Sequence, residues 1–112
     1  MLYPALPEHP DHQLWKRDFS GASGLFGVVL SEPYRKAAIA AMVDGMALFG
    51  IGSSWGGFES LMIPVYPEQV RSATTWSAPG PLLRIHAGLE DPDDLIADLE
   101  AGFERLHAVN QG

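Results

Sequence analysis

Pro81-Leu82-Leu83-Arg84-Ile85-His86-Ala87-Gly88-Leu89-Glu90-Asp91-Pro92 joins an apolar strand to an acidic helix start. From Leu82 to Ala87, Leu, Arg and His alternate with Leu, Ile and Ala. That period of two predicts a strand half-buried in a sheet. Asp91 then stands as N-cap, with Pro92 at the first helical position and Asp93 and Asp94 complementing the dipole. A strand has no need of a charge, and an unpaired buried charge is costly. Arg84 therefore either meets a carboxylate of its own chain or faces a surface where one can arrive from outside.

Outward from this stretch, the helix after Asp91 has a buried stripe of Leu95, Leu99, Phe103 and Leu106 at helical spacing. Upstream, Phe58 to Val65 reads as a strand closed by Pro64 and Pro67, and Leu25 to Leu30 as another. Between them Ser31-Glu32-Pro33 opens a helix expected to reach about Met46, with Ile39, Met42, Val43 and Met46 on its inner face. Met1 to Pro10 is apolar and broken by three prolines, a candidate edge strand. Asp11 to Phe19 is expected to be a short helix, and Ser20 to Gly24 a connector. Pro67 to Arg71 is expected to form a helical turn, and Ser72 to Gly80 a polar loop. The order is thus β-α-β-α-β-β-α. Two strands in succession without a long helix between them favour an antiparallel or mixed sheet. The fold class is α+β, a small sheet with helices packed on one face.

Length and composition fit that reading. The chain has 112 residues, 46% of them hydrophobic, which suits one domain spanning 1–112. A net charge of −7 argues against binding nucleic acid or an anionic membrane surface. Without cysteine there is no disulfide, thiolate metal site or cysteine nucleophile. The N-terminus lacks a signal-peptide pattern, and the longest apolar run, Ala37 to Val43, is far short of a membrane span. A cytoplasmic location is expected.

Several stretches invite a chemical reading. Gly50-Ile51-Gly52-Ser53-Ser54-Trp55-Gly56 nearly spells a dinucleotide fingerprint. Trp55 takes the place of the third glycine, and the order of helix and strand is wrong for it. His9 and His12 have metal-like spacing but lie in a proline-rich loop, so no metal site is assigned. Lys16 and Lys36, the only lysines, each neighbour an arginine on a charged helix face, unlike a desolvated imine-forming lysine. No serine-histidine-acid arrangement follows from spacing, so no catalytic residue is assigned. In Ser53-Ser54-Trp55-Gly56-Gly57 the glycines allow close backbone approach, the serines offer hydroxyls and the indole a flat wall. On composition alone, the same stretch reads first as a loop stapled to the core by Trp55. His86 shares the face of Arg84, and a core histidine is its plain reading. Glu59 is the lone charge of its expected strand, so a Glu59–Arg84 cross-strand pair competes with a ligand-binding Arg84.

Leu2-Tyr3-Pro4-Ala5-Leu6-Pro7, Trp15-Lys16-Arg17-Asp18-Phe19-Ser20-Gly21, Ser54-Trp55-Gly56-Gly57-Phe58-Glu59-Ser60-Leu61 and Leu83-Arg84-Ile85-His86-Ala87-Gly88-Leu89-Glu90-Asp91 change the balance. Together with Asp93-Asp94-Leu95-Ile96-Ala97-Asp98-Leu99 they resemble the C-terminal domain of bacterial cystathionine β-lyases. These belong to the pyridoxal-phosphate (PLP) Cys/Met metabolism family. The resemblance covers nearly the whole chain, in order. Trp55 within the glycine motif looks like a β-lyase rather than a γ-lyase or γ-synthase.

The resemblance implies a substrate site of Arg84, Ser54 and Trp55, with Arg84 gripping the substrate α-carboxylate and Ser54 beside it. A planar guanidinium suits that two-point grip. It also implies α,β-elimination of cystathionine to homocysteine, pyruvate and ammonia, with PLP as electron sink in the complete enzyme. Ser53 departs from relatives that carry an aromatic residue there. The family's PLP-binding domain, Schiff-base lysine and phosphate-binding residues precede the matching region and are missing here. The chain is therefore expected to be the C-terminal substrate-binding domain of a larger lyase, without PLP and inactive alone. Separation from that domain is expected to expose an apolar patch around Ser20 to Gly24 and Phe49 to Gly57, promoting self-association. A stand-alone, non-enzymatic interaction module is the alternative.

Overall fold

The computed structural model describes residues 1–52, 57–67, 72–73 and 76–111, Gln111 by its backbone alone. Six elements follow one another: α1 (His12–Asp18), β1 (Leu25–Val29), α2 (Lys36–Asp44), β2 (Leu61–Val65), β3 (Leu82–His86) and α3 (Pro92–Gln111). The three strands form one sheet in the order β1-β3-β2. β3 is central and antiparallel to both neighbours. The expected α+β class with a small antiparallel sheet is the observed one.

The alternation in β3 divides the sheet. Leu83 and Ile85 point into the core with Met62 of β2. Against them pack Ala38, Ile39, Met42 and Val43 of α2, and Leu95 and Leu106 of α3. α2 lies between partners, touching both β2 and α3. Gly102 of α3 lies against α2 and the chain that follows it, where a Cβ would come 2.7 Å from the Met46 sulfur. Opposite this core, Arg84, Leu82 and His86 share the other face of the sheet with Gly27, Ile63 and Leu61.

Several boundaries differ from the sequence expectation. Met1 to Pro10 contributes a single bridge, Leu2 to Gly27, rather than a strand, since the chain turns at Pro4. α2 begins at Lys36, not Ser31, and no side chain caps it. Tertiary contacts hold its approach extended: the Arg35 N–H donates to Asn110 Oδ1 at 2.9 Å, and the Arg35 guanidinium donates to the Val109 carbonyl. β2 starts at Leu61, not Phe58, and the expected turn from Pro67 to Arg71 lies outside the described residues after Pro67. Phe49, expected on an exposed face, is buried in the core. The cap of α3 is as expected, with the Asp93 N–H donating to Asp91 Oδ1 at 2.8 Å.

Two polar devices tie the layers together. Asp98 of α3 is buried and accepts three backbone N–H bonds, from Ala47 at 2.9 Å, Leu48 at 2.8 Å and Phe49 at 3.2 Å. It thereby fixes the chain leaving α2. Arg105, two turns further along α3, donates to the Met42 carbonyl at 2.9 Å and so satisfies one of the carbonyls at the C-terminal end of α2.

Candidate functional site

Arg84 is half-buried at the middle of the central strand. Its cross-strand neighbours are Gly27 on β1 and Ile63 on β2. On the Gly27 side there is no side chain, and a Cβ there would come within 3.2 Å of Leu2. The rest of this face is largely apolar: Leu25, Val29, Leu61, Ile63, Val65 and Leu82. Among the described residues, the strand positions that flank Arg84 on this face are therefore uncharged.

Glu59 does not stand across from Arg84. It is exposed, it precedes β2, and Ile63 takes the opposing position. Ser54 and Trp55, the other two expected substrate contacts, lie outside the described residues. The loop that carries them is nevertheless described at both stems.

The first stem is Gly50, whose N–H donates to the Ser60 carbonyl at 2.9 Å while its carbonyl accepts from Met62 at 2.8 Å. The second stem, Gly57 to Ser60, is clasped to the end of β3. The Leu89 N–H donates to the Phe58 carbonyl at 2.9 Å. The buried Ser60 hydroxyl accepts from Gly88 at 2.8 Å and donates to Glu90 at 2.6 Å. The Ser60 N–H donates to the second Glu90 oxygen at 3.1 Å. These bonds, the Ser60 hydroxyl first, hold the Glu90 carboxyl below its ordinary range against the opposing effect of burial. Gly88 is obligatory here, because a Cβ would sit 2.3 Å from the Phe58 carbonyl oxygen. His86 completes the clasp with Nε2 3.1 Å from the Gly57 carbonyl.

Sequence reasoning placed Arg84 and His86 on one face but missed this clasp. Glu90 was read as part of an acidic helix start, whereas it faces back to Ser60. The available signal was Gly88 directly after an apolar strand, which marks close backbone approach.

A separate groove of about 500 Å³ lies at the opposite end of β3. Tyr34, Lys36, Ile39, Tyr66, Trp76 and Leu82 line it, and Arg84 does not. The Lys36 ammonium stands 5.8 Å from the Tyr66 ring centre. Among the described residues no group of three or more His, Asp or Glu side chains is placed to hold a metal ion. No helix of the described residues is long and apolar enough to cross a membrane.

The profile of the Cys/Met metabolism PLP-dependent enzymes matches residues 1–104. The chain belongs to this family. An L-alanine/L-glutamate racemase of Wolbachia pipientis wMel is 49% identical over 111 residues, 98% of this chain and 28% of the racemase. The cystathionine beta-lyase of Salmonella typhimurium is 50% identical over 107 residues, 93% of this chain and 27% of the lyase. Among solved structures, the cystathionine gamma synthase of Xanthomonas oryzae pv. oryzae with aminoacrylate and cysteine superposes with a TM-score of 0.73 at 33% identity. That superposition covers 95% of this chain and 28% of the synthase. This member of the Cys/Met family therefore spans little more than a quarter of the length of the relatives it matches.

Proposed function

We propose that this chain is the C-terminal, carboxylate-gripping domain of a PLP-dependent cystathionine β-lyase. The observation that carries the proposal is Arg84, half-buried on the central strand, on the sheet face turned away from the helical core. A planar guanidinium is the side chain best suited to a two-point grip on a carboxylate. Ser54 and Trp55 are proposed to lie beside it, the first as a hydroxyl donor and the second as a pocket wall. The complete enzyme would convert cystathionine to homocysteine, pyruvate and ammonia in the cytoplasm.

PLP supplies the electron sink for that chemistry when bound. The lysines of this chain do not fit the imine-forming role, since Lys16 and Lys36 are both exposed and Lys36 lies against Tyr66. The cofactor is therefore assigned to another part of the complete polypeptide. What this chain contributes is binding and orientation of the amino-acid carboxylate.

The racemase relative, matched as closely as the lyases, favours a second reading in which the same grip serves amino-acid racemisation. Both reactions need the α-carboxylate held, so Arg84 does not separate them. The separating experiment incubates the complete polypeptide and PLP with L-cystathionine, and separately with L-alanine. Pyruvate and a free thiol from cystathionine support the lyase; loss of alanine optical rotation without pyruvate supports the racemase. Neither activity, with a native product of only 112 residues, would favour a non-enzymatic module.

A further inference from the structure

His86 is only 7% exposed, and its Nδ1 is enclosed with no hydrogen-bond partner among the described residues. Its Nε2 faces the Gly57 carbonyl at 3.1 Å. A carbonyl oxygen can only accept, so Nε2 carries the proton and the ring donates. In the neutral ring Nδ1 is then a bare acceptor sealed from water. A side chain present merely to fill space would be aromatic or aliphatic and would leave no such orphan. The position holds an imidazole that leaves one nitrogen unsatisfied in order to place the other on Gly57.

Gly57 is the outermost point of the clasp. Phe58 and Ser60 are held independently, by Leu89, Gly88 and Glu90. Among the described residues, His86 reaches past them to the residue where the chain leaves the loop that begins at Gly50. It does so from the same sheet face as Arg84, two residues along the same strand.

We propose that His86 is a positioning residue for the carboxylate grip, fixing the Gly57 end of the loop relative to Arg84 through its Nε2–H. The inference rests on the reading of Arg84 as a carboxylate clamp. It predicts a binding role rather than a chemical one: loss of the bond loosens the site for bound substrate and transition state alike, so KM rises while kcat stays.

The test uses the complete polypeptide with four substitutions, Arg84→Lys, His86→Phe, His86→Asn and His86→Gln. The readouts are KM and kcat for L-cystathionine, and the Kd of the PLP-stripped polypeptide for L-cystathionine by calorimetry. His86→Phe fills the space without a donor, and His86→Asn has an amide too short to reach Gly57. Both should raise KM and Kd roughly five- to tenfold, the worth of one neutral hydrogen bond. His86→Gln places an amide N–H near the Nε2 position and should return both to within about twofold. If His86→Phe does not fold, the contrast of Asn with Gln carries the test. Arg84→Lys weakening the binding while the His86 variants match wild type would overturn the positioning role alone. So would a fall in kcat at unchanged KM, or equal loss in Gln and Asn. Arg84→Lys leaving Kd and KM unchanged would remove the clamp, and the positioning role with it.

Discussion

Replacing Asp98 by alanine should be among the costlier single changes in this chain. The carboxylate is buried and accepts from the backbone N–H groups of Ala47, Leu48 and Phe49. A hydrogen bond to an ionised partner contributes about 1.5–3 kcal/mol net. The three do not add in full, because Ala47 and Leu48 are exposed and water can replace their partner, while Phe49 is buried. Counting the Phe49 bond at about 2 kcal/mol, and each of the two whose donors water can reach at only about 0.5 kcal/mol, gives roughly 3 kcal/mol. At about 4 °C per kcal/mol for a domain of this size, Tm should fall by about 12 °C. The loss should also depend on pH. Burial pushes the Asp98 carboxyl up, but the three N–H donors and the charge of Arg105 outweigh it and hold it below its ordinary value. The native state thus binds this proton less readily than the unfolded chain does. Its stabilisation is complete above the unfolded carboxylate range, near pH 3.9 for a model aspartate. It is lost as pH falls through the lower native value. Urea unfolding of wild type and Asp98→Ala at pH 7 and at pH 3 checks both statements. A difference below about 1 kcal/mol at pH 7, or one of the same size at both pH values, would falsify the account.

Arg84→Lys keeps the charge but loses the planar two-point grip. In the complete enzyme kcat/KM should fall by roughly one to two orders of magnitude, with little change in Tm; a large Tm loss with proportionate activity loss would mark Arg84 as a structural residue. Gly88→Ala should destabilise by about 1–3 kcal/mol or more, since the new methyl meets backbone at Phe58 and Glu59. Gly102→Ala meets side-chain atoms of Met46 and Met42 rather than backbone, and about 1 kcal/mol of helix propensity offsets the crowding, so chemical denaturation should rank it above Gly88→Ala in stability. Ser60→Ala removes the main hydrogen bond that lowers the Glu90 carboxyl, so an NMR titration should find that carboxyl moved up toward its ordinary value.

The inward half of the fold was legible because burial leaves a periodic trace. Leu83 and Ile85 alternate with Arg84, and Ile39, Met42 and Val43 recur at helical spacing; each of these five apolar residues is in the core. Element ends were less legible because tertiary bonds set them. Ser31 and Pro33 are good helix-start chemistry, yet Arg35 is drawn to Val109 and Asn110, some 75 residues away, and the first turn stays extended. Phe58 to Ser60 has strand composition, yet Gly88, Leu89 and Glu90 take its hydrogen bonds and divert it from the ladder. Of the candidate site, Arg84 and His86 could be placed on one face by parity alone. The clasp joins residues 28 to 31 apart through a serine, a glutamate and a close glycine contact. Gly88 after the strand marks a close backbone approach, but no local pattern names the partners it meets.

The two faces of β3 depend on each other through register. A slip of one residue would carry Arg84 and His86 into the core and put Leu83 and Ile85 outside. The core therefore specifies the orientation of Arg84, because burying Leu83 and Ile85 against Met62 and α2 leaves the guanidinium only the outer face. Gly27 and Ile63 flank it in that register, and neither brings a charge. The clasp then fixes the same register from the end of the strand. Gly88 fits only where its backbone passes the Phe58 carbonyl, and His86 meets Gly57 only from that alignment. A substitution that weakens the clasp without touching the core should therefore loosen the outer face while the inner face stays packed. In a chain whose proposed work is done on the outer face, stability and binding become separable by mutation.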